Sequence, residues 1–265
     1  VEQPMENAPS LAGVRRDREV GPAAERRGPA LPAAERPVLP LREFRPVVVM
    51  SVVAPAECFR LRKEVGPILG KLRNAFERVG GVVVHLTAAE RGDGASTLAR
   101  ELAVAAASLA SCRVLLLDCG TAEEDRGGTL GRPLPDVVSS FLRCGQAEVA
   151  LVTVSGASFH AAMLRPSFEP GGLSEDGRSL GELYHGLRRA YDLLIVDCPP
   201  ILEAPYLVRI AQETPQVVLV VQAEKTRIPS AMRARDEIAL AGANLVGVVL
   251  NKRRPYLPRF LDRRL

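Results

Sequence analysis

The residues best equipped for chemistry lie in one glycine-rich turn and at the ends of two apolar runs. The turn reads Thr87-Ala88-Ala89-Glu90-Arg91-Gly92-Asp93-Gly94-Ala95-Ser96-Thr97 and opens an alanine-rich helical pattern from Ser96 to about Ala110. Glycines let backbone amides curl around a phosphate, and the helix start adds partial positive charge. Ser96 or Thr97 offers a hydroxyl to Mg²⁺. Against the phosphate-loop template Gly-x-x-x-x-Gly-Lys-[Ser/Thr], Gly94 and Ser96 fit, whereas Ala89 stands at the first glycine and Ala95 at the lysine. A glycine-rich turn between strand and helix is also an ordinary connector, so its company matters. The runs Val114-Leu115-Leu116-Leu117-Asp118 and Leu193-Leu194-Ile195-Val196-Asp197 each end in an aspartate. Carboxylates there can hold Mg²⁺ or orient an attacking group; a strand-end aspartate can equally cap a helix.

These groups share a site only if the runs are neighbouring strands. Apolar runs at 82–87, 113–118, 150–154, 192–197, 217–222 and 245–251 alternate with helical patterns at 57–79, 96–110, 180–190, 204–212 and 229–241. Gly66-Pro67 is expected to bend or split the first helix. Runs buried on both faces and separated by helices predict an α/β fold, a mostly parallel sheet with helices on both faces in three layers. Ligands bind at the carboxyl ends of such strands, where all three signals fall. Residues 1–45, rich in Pro, Ala, Arg and Glu without periodicity, are expected to form a disordered leader. The folded domain is expected over 55–251, and 252–265 form a basic tail.

Composition narrows the function. With 47% hydrophobic and 25% charged residues the chain is globular. It has neither a run of about 20 apolar residues nor the layout of a secretory signal, so a cytoplasmic protein is expected. Its five cysteines, Cys58, Cys112, Cys119, Cys144 and Cys198, form no Cys-x-x-Cys pair, and the histidines are dispersed. Reduced thiols and no metal cluster follow. The tail carries six basic side chains against Asp262, a net of +5, so the other 251 residues sum to −1. This disfavours nucleic acid as a partner, while the tail is either frayed or a contact for anionic lipid. Lysine occurs only at 63, 71, 225 and 252, which excludes chemistry needing a lysine from the span between 71 and 225.

Ala-Glu-Cys-Phe-Arg-Leu-Arg at 56–62, the loop at 87–97, Leu116-Leu117-Asp118, Asp192 to Pro200 and Gly247-Val248-Val249-Leu250-Asn251 occur in an order that resembles the cytoplasmic domain of bacterial tyrosine autokinases. These act in capsule and exopolysaccharide synthesis and are relatives of the MinD/ParA-type P-loop ATPases. The resemblance spans about 55–251. It implies that Gly92, Asp93, Gly94, Ala95, Ser96 and Thr97 cradle the phosphates of ATP or ADP. It makes Asp118 and Asp197 the catalytic acids, with Ser96, Asp118 and Asp197 around Mg²⁺. It implies a membrane-embedded chain-length regulator as partner and a place at the inner face of the cell membrane. Glu57, Arg60 and Lys63 match the family's self-association motif Glu-x-x-Arg-x-x-Arg, conservatively changed at the last position. A spacing of three puts them on one helix face, which suits either ion pairing between protomers or a solvated surface.

Three departures bear on activity. The phosphate-loop lysine is Ala95, the second aspartate of the family's Asp-x-Asp motif is Gly120, and after Asn251 the only tyrosine is Tyr256. Losing a charge-assisted lysine contact costs about 1.5–3 kcal/mol of nucleotide binding, and more in phosphoryl transfer. The expectation is a degenerate member with nucleotide binding weak or lost. Two other readings stand beside it: an active autokinase in which Arg91 or a neighbouring protomer's arginine supplies the cation, and a positioning ATPase with a membrane- or DNA-touching tail.

Overall fold

The computed structural model describes residues 44–54, 65–75, 81–109, 112–120, 133–165, 180–203 and 216–253. They contain strands β1 (Val47–Val53), β2 (Val82–Ala88), β3 (Val114–Asp118), β4 (Glu148–Val154), β5 (Ala157–Met163), β6 (Leu193–Asp197), β7 (Gln216–Gln222) and β8 (Asn244–Asn251). The helices are α1 (Val65–Ala75), α2 (Ala95–Ala107), α3 (Val137–Cys144), α4 (Leu180–Ala190) and α5 (Ile228–Leu240), with a 3₁₀ turn at Ile201–Glu203. The strands form one sheet in the order β1-β4-β5-β3-β6-β2-β7-β8. All neighbours pair in parallel except β4 and β5, so β1 and β4 run against the other six.

The centre of the sheet is dry. Every residue of β3 and β6 is buried, as expected of strands covered on both faces. One face packs α1 and α2, including Leu69, Leu98 and Leu102. The other packs α3, α4 and α5, including Phe141, Leu183, Leu187 and Ile238. The α/β/α layering follows. Among the described residues no helix is long and apolar enough to cross a membrane.

Several boundaries differ from the sequence reading. The described part of the first helix, α1, has Gly66 and Pro67 near its start; the stretch before Val65, where the expected bend or split would show, lies outside the described residues. The reading placed nothing between the leader and Pro55, yet β1 lies there as an edge strand beside β4. Strand β5 and helix α3 were also not expected. Ser155 and Gly156 both take positive φ, 46° and 84°, which folds β4 back on β5 as a two-residue hairpin. Helix α3 is capped by Asp136, whose side chain accepts from the Val138 amide at 3.1 Å, and it stops at Gly145 with φ 75°. Glu57, Arg60 and Lys63, the 204–212 helical pattern and the tail from 254 lie outside the described residues.

Candidate functional site

Parallel pairing sets Asp118 opposite Asp197 at the ends of β3 and β6. Because directly opposed residues point to the same face, the carboxylates leave the sheet together. Strand β2, on the other side of β6, delivers the glycine-rich loop next to them. These elements open onto a cavity of about 530 Å³ lined by Gly92, Gly94, Ala95, Ser96, Thr97, Asp118 and Asp197, together with Glu90, Arg91, Arg100, Gly120, Pro199 and Lys252. Both aspartates are buried, 6% and 3% exposed, which sets them apart from solvated surface acids. Asp118 Oδ1 accepts from the Gly120 amide at 2.8 Å, so the position lacking the family's second aspartate now serves the first through its backbone.

The loop is held from behind by β7 and β8. Gly92 and Gly94 have φ of 84° and 99°, a region that favours glycine. A Cβ on Gly94 would come within 2.2 Å of Asn251 Nδ2, so glycine here leaves room for the Asn251 side chain. Asn251 Nδ2 donates to the Asp93 carbonyl at 2.8 Å. Lys252 Nζ donates to the Gly92 carbonyl at 2.6 Å and to Gln222 Oε1 at 3.2 Å. With these carbonyls tied down at the back, the loop has a fixed curvature. Gly94 is also the N-cap of α2 and offers no side-chain cap, which leaves the first amides of the helix available to an anion.

The Asp93 side chain turns away from the cavity. It is fully buried and does not line the cavity. Its Oδ2 accepts from the Glu90 amide at 3.0 Å, and its Oδ1 accepts from Thr226 Oγ1 at 2.7 Å. The side chain thus pins the loop to the end of β7 and cannot also meet a phosphate. Arg91, the substitute cation of the alternative reading, lines the cavity at its rim, where its Nε donates to Glu203 Oε2 at 2.5 Å in a largely exposed pair.

Asn251, Lys252, Thr226 and Arg100 carried no site role in the sequence reading. Asn251 was quoted only as part of an ordered motif, and Thr226 and Lys252 had no local signal, because their partners lie 133 and 160 positions away. Beside the acids, burial and a side-chain hydrogen bond with Cys198 push the Cys119 thiol well above its usual value, Cys198 being the larger cause. Cys119 and Cys198 are both buried and act as small spacers, as expected. Among the described residues no cluster of three or more His, Cys, Asp or Glu could hold a metal without a ligand's help. The pair Asp118 and Asp197 with the Ser96 hydroxyl suits a hard cation that brings phosphate oxygens of its own.

No family model matches the chain. The tyrosine-protein kinase CpsD of Streptococcus agalactiae is 24% identical over 174 residues, covering 64% of this chain and 75% of that protein. Among solved structures, the BceF tyrosine kinase domain is 30% identical with a TM-score of 0.52 and covers 72% of this chain and 75% of its own. The VpsO kinase domain is 26% identical with a TM-score of 0.55, covering 72% and 94%. With this sheet order, this cradle and this degree of identity, the chain belongs to the family of bacterial tyrosine kinases.

Proposed function

We propose that the chain is a degenerate tyrosine-autokinase-like component of capsule or exopolysaccharide synthesis, which holds a nucleotide weakly and acts through assembly with a membrane-embedded chain-length regulator. The observation that supports this most directly is a formed cradle, with Asp118 and Asp197 in register beside it, whose lysine position is Ala95. ATP or ADP with Mg²⁺ fits the donors present. The backbone of Gly92 to Thr97 and the start of α2 would take the phosphates, and Ser96, Asp118 and Asp197 would surround the cation. Bound there, ATP would supply a transferable phosphoryl group. The chain's own residues position the phosphates but bring no lysine at 95 to neutralise charge on them, and that deficit weighs most in the transition state. Self-association through Glu57, Arg60 and Lys63 and a peripheral place at the inner face of the membrane belong to the same proposal.

The test is direct. Calorimetry on the full chain should show weak binding of Mg²⁺·ATP, and incubation with ATP and Mg²⁺ should yield no phosphotyrosine. Tyrosine autophosphorylation abolished by Asp197→Ala would refute catalytic silence, and absence of any ATP binding would refute the nucleotide reading. An active autokinase with a relocated cation is the second reading, favoured by the basic residues Arg91, Arg100 and Lys252 along the cavity.

A further inference from the structure

Three basic side chains line the cavity, and their geometry separates their uses. Arg91 reaches outward to Glu203 at the rim. Lys252 holds the carbonyl side of the loop through Gly92 and Gln222, whereas the amides that would meet an anion face the other way. Arg100 differs from both. It lies on α2 four residues beyond Ser96 and three beyond Thr97, so all three share one helix face. Side chains on a helix lean toward its N-terminus, which hangs the guanidinium of Arg100 back over the first turn. Its Nη2 stands 3.4 Å from Thr97 Oγ1, and the half-buried side chain lines the same cavity as Asp118 and Gly120.

Resting on the nucleotide reading, we infer that Arg100 supplies the phosphate-contacting cation that Ala95 lacks, binding the phosphate chain of a nucleoside di- or triphosphate from the α2 side of the cradle. A planar guanidinium suits this, since it can take two phosphate oxygens at once. The contact acts in binding. It approaches from one helical turn beyond the lysine position, so the phosphates are neutralised from a different direction.

Calorimetric titration of the full chain with Mg²⁺·ATP and with AMP tests this in the wild type, Arg100→Gln, Ala95→Lys and the double variant, with thermal melts to check folding. Arg100→Gln should weaken ATP by about tenfold to a hundredfold and AMP by much less, and Ala95→Lys should restore ATP binding in the double variant. In the wild-type background Ala95→Lys should change ATP affinity by no more than about twofold, because the charge is already met. The assignment is overturned if Arg100→Gln binds ATP like the wild type, or if it weakens ATP and AMP by the same factor. A gain of about tenfold or more from Ala95→Lys alone also overturns it, independently of how Arg100→Gln folds. In these cases the wild type still binds ATP and the nucleotide reading survives; a wild type that binds no ATP overturns both.

Discussion

The two ends of the central strands are built for different purposes. At the amino end, polar groups are arranged for one another. Arg113 makes a two-pronged contact with Asp192, at 3.1 and 2.8 Å. His160 Nδ1 lies 2.7 Å from the Tyr191 hydroxyl, the rings edge to face. At the carboxyl end, Asp118, Asp197, Ser96 and Arg100 line one cavity, while behind it Asp93, Thr226, Asn251 and Lys252 are hydrogen-bonded to the loop and to one another. The same strands thus carry an end whose polar groups serve one another and an end that opens onto a cavity.

The largest expected effect comes from closing the cradle. Gly94→Ala places a methyl 2.2 Å from Asn251 Nδ2 and forces a φ of 99° on an alanine. Left-handed strain and the displaced hydrogen bond to Asp93 together should cost about 3 kcal/mol, read as a fall in melting temperature of about 6–12 °C. ATP binding should drop by more than about a hundredfold. A variant that melts and binds like the wild type would show that β8 does not set the loop.

His85, in the middle of β2 opposite Val196, responds to pH instead. Burial lowers the His85 pKa from 6.5 to about 4, against a smaller upward pull from the Gln216 carbonyl. The unfolded chain therefore binds a proton at this site before the folded one does. Stability from this site is complete above pH 6.5 and declines as pH falls toward 4, by about 1.4 kcal/mol per unit and about 3 kcal/mol in all. Urea unfolding across that window should show a slope that His85→Gln flattens by up to one proton, with ATP affinity at pH 7 unchanged. An unaltered slope would mean the imidazole is not the titrating group.

The contrast between the two ends was only half legible in the sequence. The dry runs of β2, β3 and β6 announce themselves by composition, and with them the facing aspartates, because a parallel pairing needs no information beyond strand order. Strand β5, reading Ala-Ser-Phe-His-Ala-Ala-Met, has too little β-branched content to stand out and depends on the Ser155-Gly156 turn and on β3 beside it. Strand β1 is strongly apolar but mostly exposed, a pattern that means strand only once β4 is known to pair with it. In the cradle, the loop's glycines were readable and its buttress was not. Asn251 ends β8 and Lys252 follows it, and nothing local says that the end of β8 abuts a loop some 158 positions earlier. The lysine-free span from 72 to 224 is real, yet Lys252 enters the site from beyond it.

The buttress itself gives the next effect. Asn251→Ala removes the partner of the Asp93 carbonyl in a buried setting, worth about 1–3 kcal/mol. It also frees the loop's curvature, so ATP affinity should fall along with stability. Loss of stability without loss of affinity would mean the loop keeps its shape through Lys252 and Thr226 alone.

The smallest effect belongs to the amino end. The Arg113 guanidinium, chiefly by its hydrogen bond, holds the Asp192 carboxyl below its usual range, so the pair's contribution is present above the unfolded value and lost as pH falls through the folded one. With side chains 61% and 42% exposed, solvent screens the pair and its worth is no more than about 1 kcal/mol. Asp192 also accepts from the Arg113 backbone amide at 2.8 Å, which ties the start of β3 to the start of β6. Asp192→Asn keeps the shape of that tie and removes the charge, so it should cost less than Asp192→Ala, and neither should alter ATP binding. A change in affinity from either variant would show that the two ends communicate along β3 and β6, against the division of labour that the geometry describes.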